Sequence, residues 1–257
     1  MNNKELLVII PAYNEEKNIG ALLERLEKPE IERIADILVI NDGSKDRTSL
    51  IARARNHIVV DHVFNLGYGS GLQSGYKYAL RHGYRYVIQI DGDGQHDAGN
   101  ITAIYERLKK KDERGECPDV VLGSRFLKDS VSFPVSFAKK IGFVLFRRLI
   151  YMGTGRHIKD PTTGLWGLDK RVFSFYAGYS RFDDRYPDAN KIMEMLLLGF
   201  RVEEIPAVMH PRTEGVSMHS GLKPFVYVLR MLFSIVAVWI RIKLFRIDTD
   251  AVGEEGD

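Results

Sequence analysis

Two aspartates flank a glycine at Asp91-Gly92-Asp93, directly after the apolar run that ends at Ile90. Carboxylates at i and i+2 just past a strand can point the same way and share one cation. Mg2+ or Mn2+ suits such a pair, because these ions take one or two carboxylates and fill the octahedron with water and substrate phosphates. Gly92 and Gly94 let the backbone turn closely around the pair. Taken alone, the pattern is equally that of a loop leading to a helix capped by Asp97. Two other polar, turn-rich segments share its setting. Pro11-Ala12-Tyr13-Asn14-Glu15 and Asn41-Asp42-Gly43-Ser44-Lys45-Asp46 each follow a short apolar run.

The elements that would position these loops can be read from periodicity. Leu6–Ile10, Asp36–Ile40, Ile58–Asp61, Tyr84–Ile90 and Asp119–Leu122 read as strands. Between them, helical patterns run over about 14–27, 47–55, 71–81 and 100–111. Near-continuous Val/Ile/Leu strands alternating with helices predict an α/β fold, a mostly parallel sheet covered on both faces. Ligands of such sheets bind outside the carboxyl ends of the strands. The three polar loops therefore gather along one edge.

After Gly123 the character changes. Residues 133–152 mix aromatic and aliphatic side chains with the basic pairs Lys139-Lys140 and Arg147-Arg148. Residues 223–247 are strongly apolar, but their longest charge-free run, Met231–Ile240, is ten residues. About 20 are needed to span a bilayer as a helix. At 100° per residue Lys223, Tyr227, Arg230, Ser234 and Arg241 share one stripe. That pattern predicts a helix lying in a membrane interface with basic residues toward headgroups, and a terminal helix packed on the domain is its alternative.

Composition narrows the class. With 257 residues, 45% hydrophobic and 28% charged, the chain is a folded globular protein of one large domain or two modest ones. The single cysteine, Cys117, excludes an internal disulfide and favours a reducing compartment. The charged start, Met-Asn-Asn-Lys-Glu, and the short apolar run after it predict no secretory leader. Net charge is +3, yet five acids and no base fall in the last ten residues, which leaves the body at +8. A basic body suits nucleotides, phospholipid headgroups or nucleic acid.

Read together, the Pro11–Glu15 segment, Asn41-Asp42-Gly43-Ser44-Lys45-Asp46-Arg47-Thr48 and Asp91-Gly92-Asp93-Gly94-Gln95-His96 resemble the family 2 glycosyltransferases across residues 5–125. The chain looks most like the dolichol-phosphate mannose synthase group and its bacterial polyprenyl-phosphate relatives. Asn65-Leu66-Gly67-Tyr68-Gly69, Gly123-Ser124-Arg125, Asp160-Pro161-Thr162-Thr163-Gly164 and Arg212-Thr213-Glu214-Gly215-Val216-Ser217 carry that closer likeness, to about residue 220. The resemblance implies a single nucleotide-sugar-binding domain of glycosyltransferase A type over 1–220, with 133–152 as a membrane-interface or acceptor segment. An amphipathic membrane-associated helix over 221–247 and an acidic tail over 248–257 would follow. It also implies a metal-dependent, inverting transfer from a UDP- or GDP-linked sugar. By position, Pro11, Tyr13 and Glu15 would frame the donor nucleotide, Asp42 would reach its base, and Gly67 and Ser217 would line the donor site. Asp91, Asp93 and Gln95 would hold Mg2+ or Mn2+ at the diphosphate. Arg125 and Arg212 would be cationic clamps for donor or acceptor phosphate, a task the guanidinium fork suits.

The acceptor turns on a chemical distinction. A sugar hydroxyl needs a general base. A lipid phosphate, with a second pKa of about 6, is already ionised near neutrality and needs positioning instead. Asp188, in Tyr186-Pro187-Asp188-Ala189, falls where many family members carry an acid before a helix. It is either that base or a helix N-cap. The basic, aromatic segments favour polyprenyl phosphate at the cytoplasmic face of a membrane, bound peripherally and with a small membrane-protein partner or homo-oligomer as an aid. One departure stands against this. Lipid-phosphate glycosyl synthases often place a lysine after the Gly-x-Ser, where this chain has Met218 and then His219.

Other signals point elsewhere and are weaker. Gly67, Gly69, Gly71 and Gly75 lack dinucleotide-fingerprint spacing. His96 has no second histidine one helical turn away for zinc. His57, His62 and His82 carry no assigned role, and Cys117 reads as a bystander. Trp166 suits either a sugar platform or the core. No groove-reading helix or aromatic sheet motif supports nucleic acid. A sugar-1-phosphate nucleotidylyltransferase would need a Gly-x-Gly-Thr-Arg loop where Pro-Ala-Tyr-Asn-Glu stands. A non-catalytic scaffold would not need the Asp91/Asp93 pair.

Overall fold

Every residue of β1 (Leu6–Ala12) is buried, as is every residue of β2 (Ala35–Asn41). A strand without an exposed face must lie inside a sheet covered on both sides. The computed structural model describes residues 4–132, 137–178, 181–182, 187–211 and 223–246. In chain order, β1 leads to α1 (Ile19–Leu26), α2 (Pro29–Glu32), β2, α3 (Thr48–Ala54), β3 (Ile58–Asp61) and α4 (Tyr68–Arg81). Next come β4 (Tyr86–Gln89), α5 (Gly99–Lys109), β5 (Val120–Ser124), α6 (Phe137–Thr154), β6 (Trp166–Asp169) and α7 (Lys170–Ala177). The chain closes with α8 (Ala189–Leu197), β7 (Val202–Pro206) and α9 (Lys223–Lys243).

The strands form one sheet in the order β3-β2-β1-β4-β6-β5-β7. β1 pairs in parallel with β2, from Leu6 opposite Ala35 to Ala12 opposite Asn41, and in parallel with β4 on its other side. Alternate residues of β1 serve opposite faces, as a pleated strand requires. Leu7 and Ile9 join a core built with α4 and α6–α9, whereas Leu6, Val8 and Ile10 pack with α1, α2, α3 and α5. The two-sided cover expected from the Val/Ile/Leu runs is therefore present.

Strand order reverses at β1, with β2 on one side and β4 on the other, so a crevice opens where their carboxyl ends diverge. β6 is the exception to parallel pairing. It runs antiparallel to both β4 and β5, with Gln89 opposite Trp166 and Leu122 opposite Trp166. An antiparallel strand presents its amino end where its neighbours present their carboxyl ends. The segment just before β6, residues 160–165, therefore reaches the crevice.

Two expectations from the sequence need correction. The helix expected from residue 14 begins at Ile19, because Asn14 adopts φ +54° and residues 14–16 bind the loop after β2 instead. Helix α4 starts earlier than residue 71, at Tyr68, once Gly67 turns the chain at φ +100°. Gly71 and Gly75 face β1: a Cβ at Gly75 would meet Ile9 at 2.6 Å, so these glycines permit close helix-on-strand packing.

Helix α9 packs on α8 and α6 through Met231, Ile235, Val238 and Ile242. Its polar stripe turns inward at three points. Tyr227 Oη donates to Asp188 at 2.7 Å, Asn190 Nδ2 donates to Ser234 Oγ at 2.8 Å, and Arg241 pairs with the buried Glu194. Arg230 remains exposed, and Val226, Leu229, Phe233 and Val236 face outward. No described helix is long and apolar enough to cross a membrane.

Candidate active site

The loops after β1 and β2 are tied to each other. Asn14 N donates to Ser44 Oγ at 2.9 Å, and Lys45 N returns a bond to Asn14 Oδ1 at 2.9 Å. Glu15 N donates to Thr48 Oγ1 at 2.9 Å and Glu16 N to Asp46 Oδ2 at 3.0 Å. Burial works against the charge of Asp46, but hydrogen bonds from Thr48 and Glu16 outweigh it and lower its pKa. Pro11 is buried against α4, whereas Tyr13 keeps its ring open to solvent at the rim. Glu15 Oε2 accepts from Asn18 Nδ2 at 2.6 Å, which fixes that carboxylate at the start of α1.

Asp42 is buried and fully engaged. Oδ1 accepts from Leu66 N at 2.8 Å and lies 2.7 Å from His62 Nδ1, while Oδ2 accepts from Gly67 N at 2.9 Å. His62 Nε2 continues to Ser74 Oγ at 2.9 Å. Asp42 thus clamps the loop between β3 and α4. Gly43 makes this possible, since it sits at φ +69° with a would-be Cβ 2.6 Å from the Phe64 backbone.

Asp91 leaves the end of β4 and is gripped on three sides. Tyr68 Oη donates to Oδ1 at 2.8 Å, His96 Nε2 lies 3.4 Å from Oδ2, and Gly164 closes the third side. A Cβ on Gly164 would fall 2.6 Å from Oδ2, so this position has room for the carboxylate only as glycine. Burial opposes the charge on Asp91, yet hydrogen bonds from His96 and Tyr68 and the nearby Arg125 charge hold its carboxyl below the ordinary range. Asp93 Oδ1 accepts from Gln95 N at 3.1 Å. Gln95 is itself pinned to the strand-like segment after β7: His210 N donates to Gln95 O at 2.7 Å, and Gln95 Nε2 reaches His210 O at 3.4 Å. Asp91, Asp93 and Gln95 are thereby gathered in one turn at the crevice. Among the described residues no cluster of three His, Cys, Asp or Glu side chains is arranged for a metal, so any cation here would complete its shell from water or substrate.

Arg125 is held rather than projecting freely. Its Nε and Nη2 make a fork on Asp160 at 2.7 and 2.6 Å, and Nη2 also reaches Thr162. Asp160 is completely buried and receives the Arg125 backbone N–H as well. Among the described residues, Nη1 makes no hydrogen bond. Asp188 occupies the position before α8, but its side chain does not cap that helix. It accepts instead from Tyr227 Oη. Burial pushes its pKa up to about 6; the Tyr227 bond and Arg125 pull it down, while Asp91 and Asp160 add to the rise. Asp188 is thus close enough to Asp91 and Arg125 to share their electrostatics.

Trp166 is in the core, with its Nε1 donating to Thr163 O at 2.7 Å, and is no sugar platform. Arg212, Ser217, Met218 and His219 lie outside the described residues. Sequence alone assigns no individual role to Tyr68, Gly164, His62, Asp160 or Tyr227. Tyr68, Asp160 and Gly164 stand in segments that carried the family likeness, and Tyr227 in the polar stripe. His62 had no such signal.

The Glycosyl transferase family 2 pattern matches residues 7–176. The chain belongs to this family. An uncharacterized protein of Methanocaldococcus jannaschii is 30% identical over 243 residues, covering 91% of this chain and 95% of its own length. A dolichyl-phosphate beta-glucosyltransferase of Trichomonas vaginalis is 30% identical over 172 residues, 62% of this chain and 49% of that protein. A dolichol-phosphate mannosyltransferase of Pyrococcus furiosus is 29% identical over 231 residues, 86% of this chain. This chain spans 61% of the Pyrococcus enzyme's length. Among solved structures, glucosyl-3-phosphoglycerate synthase of Mycobacterium tuberculosis, in complex with Mn2+ and UDP-glucose, superposes with a TM-score of 0.66. At 16% identity, covering 92% of this chain and 79% of that one, the likeness is one of fold. This glycosyltransferase groups with the polyprenyl-phosphate enzymes of its family.

Proposed function

We propose that the protein moves one hexosyl or N-acetylhexosaminyl unit, with inversion, from a UDP- or GDP-linked sugar to polyprenyl phosphate at the cytoplasmic face of a membrane. The observation that carries this reading is the Asp91–Gln95 turn, seated where the strand order reverses and flanked by the Asp42 and Arg125 loops. Its oxygen donors fit a hard divalent cation, and Gly164 keeps the space beside Asp91 open. Asp91, Asp93 and Gln95 would hold Mg2+ or Mn2+. When bound, the cation neutralises charge on the departing nucleoside diphosphate. The chain's own residues orient the reactants. Tyr13 and the Asp42-clamped loop frame the nucleotide end. Arg125 offers Nη1 to a phosphate oxygen while Asp160 fixes its plane. Residues 1–220 form the catalytic unit, and the relatives' names support a lipid-phosphate acceptor.

The outward apolar face of α9, with Phe233 74% exposed, is joined by Ile141, Val144 and Met152 of α6. Lys140, Arg148, Arg230 and Lys243 are also exposed on these two helices. Apolar side chains among basic ones suit an anionic lipid surface. One interfacial anchor binds only reversibly, so a small membrane protein or a second copy would strengthen attachment. A lipid-free, monomeric and fully active preparation would contradict that.

The pKa of Asp188 favours a second reading, in which Asp188 takes the proton from a glycan hydroxyl. Membranes from expressing cells, given radiolabelled UDP-glucose, UDP-N-acetylglucosamine or GDP-mannose with Mn2+, separate the two. Label in the organic phase, released by mild acid and absent in Asp91→Ala, is the result expected. Label confined to water-soluble or polymeric glycan would overturn the lipid-phosphate reading.

A further inference from the structure

The segment between β3 and α4 touches both ends of the crevice. At one end Asp42 receives the backbone N–H groups of Leu66 and Gly67. One residue later Tyr68 sends its phenol 2.8 Å to Asp91 Oδ1 at the other end. Gly67, at φ +100°, makes the turn between the two contacts.

A carboxylate that holds a metal is commonly fixed by a hydrogen bond to a neighbouring group, and removing that neighbour typically weakens metal binding about 10–100-fold. Asp91 has such a neighbour on each oxygen, Tyr68 on Oδ1 and His96 beside Oδ2. His96 is the poorer support. Its contact is 3.4 Å long, and its buried Nδ1 has no hydrogen-bond partner among the described residues. Tyr68 is the first residue of a 14-residue helix, and its ring packs against the main core. It is therefore the rigid member of the pair.

We propose that Tyr68 is a positioning residue that sets the Asp91 carboxylate for a divalent cation before the donor arrives, with the loop clamped by Asp42 as its footing. The inference rests on the reading of Asp91 as a cation ligand. It adds that an aspartate at the nucleotide end governs cation affinity at the diphosphate end, although no direct contact joins the two carboxylates.

The test measures Mn2+ binding to the full-length protein without nucleotide, from the paramagnetic resonance of the free ion. Tyr68→Phe keeps the packed ring and removes only the hydroxyl. It is expected to weaken Mn2+ binding about 10-fold or more while UDP binding without metal stays as in the wild type. Asp42→Asn is expected to weaken Mn2+ binding several-fold, through the loop alone. Gly164→Ala displaces Asp91 from the opposite side and is expected to mimic Tyr68→Phe if that variant folds poorly. Wild-type affinity within twofold in Tyr68→Phe would overturn the inference and leave the cation reading intact. Wild-type affinity in Asp42→Asn would overturn the loop as footing. A wild-type protein that binds no Mn2+, with or without UDP, would overturn both the inference and the cation reading.

Discussion

The two halves of the chain reach the crevice by different routes. In residues 6–124 each functional loop follows a parallel strand, and the loops fix one another through short backbone-to-side-chain bonds such as Asn14 to Ser44 and Glu15 to Thr48. In the later half, the groups arrive from before an antiparallel strand, from the start of α8 and from a terminal helix. They are held by side-chain pairs across long separations, Arg125 with Asp160 and Tyr227 with Asp188. The first arrangement is preorganised by the sheet itself. The second depends on how helices α8 and α9 dock, which suits the lipid-borne acceptor proposed above.

That contrast can be broken at several points. The largest effect is expected in the first half: Asp91→Ala or Asp93→Ala should lower transfer on the order of 10³-fold or more, since several kcal/mol of charge stabilisation would depend on the proposed cation. Chelation should have the same effect and Mn2+ should reverse it; a chelated enzyme at full rate would show that the pair is structural. In the second half, Asp160→Ala leaves Arg125 without its buried partner and should destabilise the protein by about 3–5 kcal/mol in urea denaturation. A loss confined to activity would mean that Arg125 serves the ligand more than the fold.

Asp188 sharpens the comparison through pH. Its pKa is raised to about 6, so the folded state holds a proton that the unfolded chain has already released. Stability from this group is therefore lost as pH climbs from about 4 to about 6. Asp188→Asn keeps an acceptor for Tyr227 and removes the buried charge. It should be more stable than wild type by roughly 2 kcal/mol at pH 7.5 and no more stable at pH 4. Its transfer to lipid phosphate should fall less than about 10-fold, against 10²-fold or more for a hydroxyl acceptor. The smallest effect on the fold is expected at Phe233→Ser, which should change stability by no more than about 0.5 kcal/mol. The same variant should lower retention on anionic vesicles several-fold; unchanged retention would remove α9 from the membrane account.

What the sequence made legible follows the same division. β1 and β2 announced themselves as apolar runs, and the polar loops after them could be assigned to one sheet edge without further information. Asp91 and Asp93 stood out because their chemistry and their chain position agree. The limits appear where partners are distant in sequence. β6 is four residues long, and nothing in Trp166-Gly167-Leu168-Asp169 tells its direction. The space that Gly164 keeps for Asp91 is therefore visible only after folding. Tyr227, Ser234 and Arg241 formed a recognisable stripe, but their side chains answer to Asp188, Asn190 and Glu194, some 40 residues away, rather than to solvent. Asn14 shows the local version of this limit, because tertiary bonds to Ser44 and Lys45 override a helical pattern.

The central claim is that the attacking group is a phosphate carried on a lipid. Its most direct test uses purified protein, radiolabelled nucleotide sugar and Mn2+, with vesicles holding either polyprenyl phosphate or the polyprenol of the same length. Transfer to the phosphate alone, abolished in Asp91→Ala, is the predicted result. Equal transfer to the free polyprenol, or none to either lipid while a glycan hydroxyl is glycosylated, would contradict it.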